Sequence, residues 1–351
     1  MPDLLIHPDM TVLEALRWYG PITSGPVVSP EQAIDYCRGL ANSHYENFSV
    51  LSALVPDDLR DDFAAVYAFC RWSDDLGDET GHTLAARAQS MALLNWWEDQ
   101  LDLCFDGLAE HPVFIALHRV IDRHAVPKKP FADLISAFKQ DQSLRHYQTW
   151  DQVLDYCTRS ANPVGRIVLH LGGYPDTPEN TQRYRLSDAT CTALQLTNFW
   201  QDVRRDLIER DRVYIPLTDA GLTVAQLRDW MLREFDPDAR VPFIRAMHPL
   251  VDKTRALFDD GRPLPGLLDG RISPVVWLFG AGGRSVLRSV ERIGCATLWQ
   301  RPRLSKSTKV GLVAGAWLRA KLGGPGRPLP GHGPTSALPP AAPSATTSTA
   351  A

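Results

Sequence analysis

The chain has 351 residues, of which 44% are hydrophobic and 22% charged, the make-up of an ordinary globular protein with room for one large domain or two smaller ones. A net charge of -4, with no long basic tract before the C-terminus, argues against nucleic-acid binding. None of Cys37, Cys70, Cys104, Cys157, Cys191 and Cys295 forms a C-x-x-C pair, and most sit in apolar helical patterns. Buried free thiols in a reducing compartment are therefore expected rather than a disulfide framework. There is no basic n-region followed by an apolar run, and no apolar segment reaches the roughly 20 residues of a membrane span, so a cytoplasmic protein is expected.

Residues 1–28 read as an irregular, Pro/Gly-rich arm with a short apolar piece at Thr11–Trp18. Ser29-Pro-Glu-Gln32 is a capping box with proline at the first helical position and opens a domain expected over residues 29–301. Pro56 precedes a helix ending near Gly81, and Leu84–Phe105, His111–His124 and Phe131–Gln140 continue at helical period. Thr149-Trp-Asp-Gln152 caps a helix running to Gly172, within which Pro163 predicts a kink. A long helix is expected from about Glu179 to Glu209, followed by Val224–Phe235, Pro242–Phe258 and Ser273–Ile293. No alternating strand pattern, G-x-G-x-x-G or Walker-type loop stands out, so the expected fold is all-α. Residues 302–322 form a basic segment with interleaved Val310, Leu312, Trp317 and Leu318. It reads equally as a helix touching a membrane surface or as a plain surface helix closing the domain. The Pro/Ala/Ser/Thr-rich residues 323–351 are predicted to be disordered.

Two acidic segments carry the chemistry. In Gln195-Leu-Thr-Asn198-Phe-Trp-Gln-Asp202-Val-Arg-Arg-Asp206, steps of three, four and four residues keep Gln195, Asn198, Asp202 and Asp206 on one face of a helix with about 3.6 residues per turn. Arg71-Trp-Ser-Asp74-Asp75-Leu-Gly-Asp78 places Asp74 and Asp78 one turn apart at the C-terminal end of an apolar helix, where the helix dipole disfavours anions. Either pair alone is most simply a solvated acidic face. Together, each at the end of an apolar run, they point to clustered carboxylates that require cations. Oxygen ligands without histidine or cysteine favour magnesium, or manganese in its place, over zinc. Magnesium so held commonly completes its shell with substrate phosphate.

These segments resemble the paired motifs of the squalene/phytoene synthase family, R-x-x-D-D-x-x-D and Q-x-x-N-x-x-x-D-x-x-x-D, in order and separation. Arg212-Val-Tyr214-Ile-Pro216 is similar to the R-x-Y-x-P segment that follows, although the spacing from Asp206 to Arg212 is slightly longer than in the family pattern. His44-Tyr-Glu-Asn-Phe48, Lys139-Gln-Asp141, Tyr156-Cys-Thr-Arg-Ser160-Ala-Asn-Pro163 and Gln201 before Asp202 resemble the bacterial hopanoid-pathway branch, which converts presqualene diphosphate to hydroxysqualene.

The resemblance implies a class I isoprenoid synthase fold, one helical domain around a central cavity. It implies magnesium held by Asp74, Asp78, Asn198, Asp202 and Asp206. Arg71 and Arg212 would meet the diphosphate, with Gln195 and Tyr214 beside it, and His44, Phe48, Tyr67 and Tyr156 would bind or line the prenyl cavity. Tyr67 at helical spacing fits a core position equally well, whereas Tyr156 lies near the Pro163 break, where a distorted helix suits a site. The implied ligand is a prenyl diphosphate, with no nicotinamide and no nucleic acid, and the implied partners are other enzymes of squalene and hopanoid synthesis.

A condensing synthase acting on farnesyl or geranylgeranyl diphosphate would carry the same metal motifs. A di-iron bundle asks for paired Glu-x-x-His motifs, and the one case, Glu79-Thr-Gly-His82, lacks a partner. A non-catalytic relative would have lost an aspartate, and all four are present.

Overall fold

The structure is a computed structural model that describes residues 10–23, 25–44 and 54–322. Among these residues there is no strand, only an isolated parallel bridge between His146 and Val213, so the expected all-α fold is the fold observed. Phe48 and the 323–351 tail lie outside the described residues, as does the side chain of His44.

Chain order gives α1 (Val12–Tyr19), α2 (Pro30–His44), α3 (Arg60–Asp78), α4 (Leu84–Phe105), α5 (Pro112–His124) and α6 (Lys128–Asp141). Then come α7 (Trp150–Ser160), α8 (Asn162–Leu171), α9 (Thr181–Gln201), α10 (Val224–Trp230), α11 (Pro237–Gly261), α12 (Ser273–Arg292) and α13 (Lys306–Leu322).

Local chemistry sets many of these boundaries. Thr149 Oγ1 accepts from the Gln152 amide at 3.3 Å and Gln152 Oε1 accepts from Thr149, the reciprocal cap expected at the start of α7. Ser29 and Gln32 make the same exchange ahead of α2. Three expectations need correction. The N-terminal arm is not wholly irregular, because a Thr11–Glu14 capping box starts α1, which buries Val12, Ala15 and Tyr19. The helix after Thr149 is broken rather than kinked: Ala161 leaves helical geometry (φ -128°, ψ -51°), and Pro163 sits in the first turn of α8, where its missing N–H costs nothing. The helix expected from Glu179 to Glu209 stops at Gln201.

The apolar faces bury into two cores. One gathers α1–α6 with α8, and the other gathers α7, the C-terminal half of α9, α10, α11 and the end of α12. α9 runs between them, packed by α7, α8, α11 and α12. α8 and α11 approach it closely at Gly165 and Gly261. A Cβ there would collide with Ser187 and Cys191 in the first case and with Thr190 in the second. All six cysteines are free, and Cys37, Cys104, Cys157 and Cys295 are buried, as expected. No described helix is long and apolar enough to cross a membrane.

Candidate active site

α3 delivers the first carboxylates from a clamped helix. Trp72 is fully buried, stacks on Trp97 with ring centroids 5.1 Å apart, and donates through Nε1 to the Tyr36 hydroxyl at 2.8 Å. Ser73 Oγ accepts from Trp97 Nε1 at 2.9 Å and donates to the Phe69 carbonyl at 2.8 Å. Helical geometry then puts Arg71, Asp74, Asp75 and Asp78 together on the opposite side. Arg71 closes on Asp75 at two points, Nε to Oδ2 at 2.9 Å and Nη2 to Oδ1 at 2.5 Å. Burial still pushes the Asp75 carboxyl up to about 7 against that pull. Asp74 is pushed up to about 6 by burial and by the neighbouring Asp78 charge, with Arg71, Arg210 and Arg212 pulling the other way.

The second segment is built differently. Asp202 leaves helical geometry (φ -108°, ψ 17°), Val203–Arg205 makes one short turn, and Asp206–Arg210 forms a π turn. It ends at Asp211 in the left-handed region (φ 52°), a conformation that aspartate tolerates better than most residues. The wide turn carries the chain from Asp206 to Arg212, whose amide returns to the Asp206 carbonyl at 3.0 Å.

The π turn brings Arg210 and Arg212 against α3. Arg210 Nη2 lies 3.1 Å from Asp78 Oδ2 and its Nη1 lies 3.3 Å from Asp206 Oδ1, so one guanidinium bridges the two acidic segments. Arg212 Nη1 lies 2.8 Å from Asp78 Oδ1 and 3.5 Å from Asp141 Oδ2. Burial pushes Asp206 up to about 7, opposed by Arg210 and reinforced by Asp202. Burial likewise pushes Asp141 up to about 6, opposed by Arg212 and by the Tyr156 hydroxyl, which donates to Asp141 Oδ2 at 2.7 Å. Asp141 Oδ1 is buried and has no partner. Behind this polar junction stands an aromatic wall. Tyr214 stacks on Phe199 with centroids 3.7 Å apart, and Tyr156 lies 5.7 Å from Tyr214 and 5.5 Å from Tyr147. A small pocket beside the junction is lined by Asp78, Asp141, Arg87, Arg145, Arg210 and Arg212.

Of the residues singled out in the sequence, Asp74, Asp78, Asp206, Arg212, Tyr214 and Tyr156 come together here. The single polar stripe expected from Gln195 to Asp206 does not form, because the helix ends within it. Asn198 is exposed, Gln195 is half-buried, and Asp202 turns outward to Arg301, with Nε to Oδ1 at 2.5 Å and Nη2 to Oδ2 at 3.0 Å. Tyr67 is half-buried against the first core, close enough to Arg71 to influence its charge. Sequence reasoning missed Asp141, Arg210, Tyr147 and Phe199 as site residues. Among the described residues, no three histidine, cysteine or acidic side chains converge closely enough to hold a metal. The donor chemistry nevertheless fits a hard divalent cation: carboxylate oxygens from two segments face each other, and a guanidinium already stands between them as a cation.

An all-helical fold in which two acidic helix ends meet over an aromatic wall defines an isoprenoid synthase. Residues 41–308 match the squalene/phytoene synthase family, and the chain belongs to that family of enzymes acting on prenyl diphosphates. It is similar to the hydroxysqualene synthase of Rhodopseudomonas palustris, 31% identical over 248 residues, which cover 70% of this chain and 80% of that protein. It is also similar to the phytoene synthase of Arthrospira platensis, 32% identical over 197 residues, covering 54% of this chain and 62% of that one. The crystal structure of the squalene synthase HpnC from Alicyclobacillus acidocaldarius superposes with a TM-score of 0.67 at 41% identity, covering 76% of this chain and 95% of that one.

Proposed function

We propose that the chain converts presqualene diphosphate and water to hydroxysqualene and diphosphate, as a step of squalene and hopanoid biosynthesis. The observation that carries this reading is the junction of Asp74, Asp78 and Asp206 with Arg210 and Arg212, set directly against the buried rings of Tyr156, Phe199 and Tyr214. An anionic leaving group and an apolar cation need those two environments side by side. The likeness to hydroxysqualene synthase supports the alcohol-forming branch.

Asp74, Asp78, Asn198, Asp202 and Asp206 would hold magnesium, or manganese in its place, which when bound neutralises the leaving diphosphate. Asn198 and Asp202 would have to turn inward for this, Asp202 leaving Arg301. Arg212, with Arg87 and Arg145 in the pocket lining, would bind the diphosphate oxygens. Arg71, tied to Asp75, orients the first motif, and Gln195 would lie behind the second. Once the C–O bond ionises, the aromatic wall of Tyr156, Phe199 and Tyr214 would stabilise the carbocation and keep stray water out. Tyr67, and by the family resemblance His44 and Phe48, would contact the prenyl chains. Water capture ends the reaction without a hydride donor, so no nicotinamide is required.

A second reading, condensation of two prenyl diphosphates, is favoured by the likeness to phytoene synthase. Mass-spectrometric product analysis decides between them. The purified protein with magnesium and no NADPH is given presqualene, farnesyl or geranylgeranyl diphosphate in separate tubes. Hydroxysqualene is expected from the first alone. Presqualene diphosphate or phytoene from the others would transfer the chain to the condensing branch, and turnover of none of the three would sink both readings.

We also propose that α13 rests on an anionic bilayer. One side packs on α12, with Ala316 buried and the Arg319 guanidinium 4.0 Å from the Trp277 ring centroid. The other side exposes Val310, Trp317 and Leu318 beside Lys306, Lys309 and Lys321, and the helix has no acidic residue. Sedimentation with anionic vesicles should exceed that with neutral ones, and Lys306→Glu with Lys309→Glu should abolish the difference. Equal binding to both vesicle types would remove the membrane role.

A further inference from the structure

Arg210 lies in the π turn that follows the second acidic segment, and the metal-clamp reading alone gives it no task. Its guanidinium is the group that joins the two acidic segments, 3.1 Å from Asp78 and 3.3 Å from Asp206, with Asp74 attracting it from α3 and Arg212 repelling it from the other side. Asp206 is buried and the Asp78 side chain nearly so; Asp78 also has Arg212 at 2.8 Å, whereas Arg210 is the cation in bridging distance of Asp206. Arg210 is itself partly exposed, lines the pocket and belongs to a π turn, a wide turn that recurs at functional sites. It therefore has room to leave.

We propose that Arg210 is a built-in counter-cation that holds the two carboxylate clusters together while the site is free of metal, gives up that place when divalent ions load, and then turns toward the diphosphate. This rests on the metal-clamp reading above and adds to it a competition: metal and Arg210 cannot occupy the space between Asp78 and Asp206 together. Loading the site therefore displaces a cation that the fold itself supplies. Arg212, more deeply buried and paired with Asp141 as well as with Asp78, keeps its Asp141 partner when metal takes Asp78, and so remains to meet the diphosphate.

The test measures metal binding without turnover. Free Mn2+ is followed by electron paramagnetic resonance as it is titrated into the full-length wild-type chain, Arg210→Gln and Arg210→Lys, with and without inorganic diphosphate. With no diphosphate present, Arg210→Gln should bind Mn2+ about tenfold more tightly than wild type, the usual size of linkage between competing events. Arg210→Lys, which keeps the charge but not the two-point bridge, should fall between them. Thermal melts should show Arg210→Gln below wild type in chelator, with a larger rise on adding Mn2+. Equal or weaker Mn2+ binding by Arg210→Gln, with normal binding by wild type, overturns the proposal while leaving the clamp intact. Failure of all three proteins to bind Mn2+ even with diphosphate overturns both.

Discussion

The two acidic motifs reach the same place by opposite constructions. The first rides on an unbroken helix whose far side is clamped by Trp72 and Ser73, so Asp74 and Asp78 keep the one-turn spacing of the sequence. The second lies where a helix comes apart, with Asp202 released from helical geometry and Asp206 opening a π turn. The first motif faces a cluster of arginines, whereas the second is divided: Asp206 looks inward at Arg210 and Asp202 outward at Arg301. One motif is a rigid wall. The other is the part with somewhere to move.

Replacing one aspartate from each motif separates their roles. As proposed metal ligands, Asp78→Asn and Asp202→Asn should each lower the rate of diphosphate release by about a thousandfold, the upper range for losing one preorganised charge-stabilising group. Stability in chelator should then tell them apart. Asp78 is the shared partner of Arg210 and Arg212, and removing it leaves the buried Arg212 short of a counter-charge, so the Asp78 variant should lose about 3 kcal/mol or more in denaturant unfolding. Asp202 pairs with the half-exposed Arg301, and losing that bond should cost about 1 kcal/mol or less. Equal destabilisation by the two changes would mean that the motifs are equally rigid, and the contrast drawn here would be gone.

The same contrast explains what could be read in advance. Caps at Ser29 and Thr149, the span Leu84–Phe105 and the helix Lys306–Leu322 follow from local chemistry and period, and the structure has them. The first motif was legible because its helix stays regular and its aspartates sit against the dipole. Asp141 ends α6 in the same adverse position and was open to the same argument. The second motif was legible in composition but not in shape. A 3.6-residue period assumes the helix continues, and no side-chain pattern announces that Asp202 will leave it or that the next turn will widen. Arg210 reads locally as a surface partner of Asp206 four residues away, and only the tertiary meeting with Asp78, far back in the chain, gives it a place in the site. The stacking of Phe199 on Tyr214 is likewise a product of the break that separates them.

A smaller effect, set by pH, sharpens the comparison further. Asp74 and Asp141 are raised to about 6 and Asp206 to about 7, in each case first by burial, above an unfolded value near 4. Between pH 4 and 7 the folded chain thus binds protons that the unfolded chain has already released. With more protons on the folded state, stability must fall as pH rises through this window. In chelator the melting temperature should therefore decline from about pH 5 to about pH 8, apart from the titration of groups elsewhere. Activity should run the other way, because metal and diphosphate binding need the charged carboxylates, and should climb through about pH 6 to 7. Saturating magnesium should flatten or reverse the stability trend by favouring the ionised form. Asp206→Asn should remove part of the chelator-dependent slope, the rest coming from Asp74, Asp75 and Asp141. A slope unchanged in that variant would place the titrating burden on α3 and Asp141, making the rigid wall, rather than the broken helix, the part of the site that responds to pH.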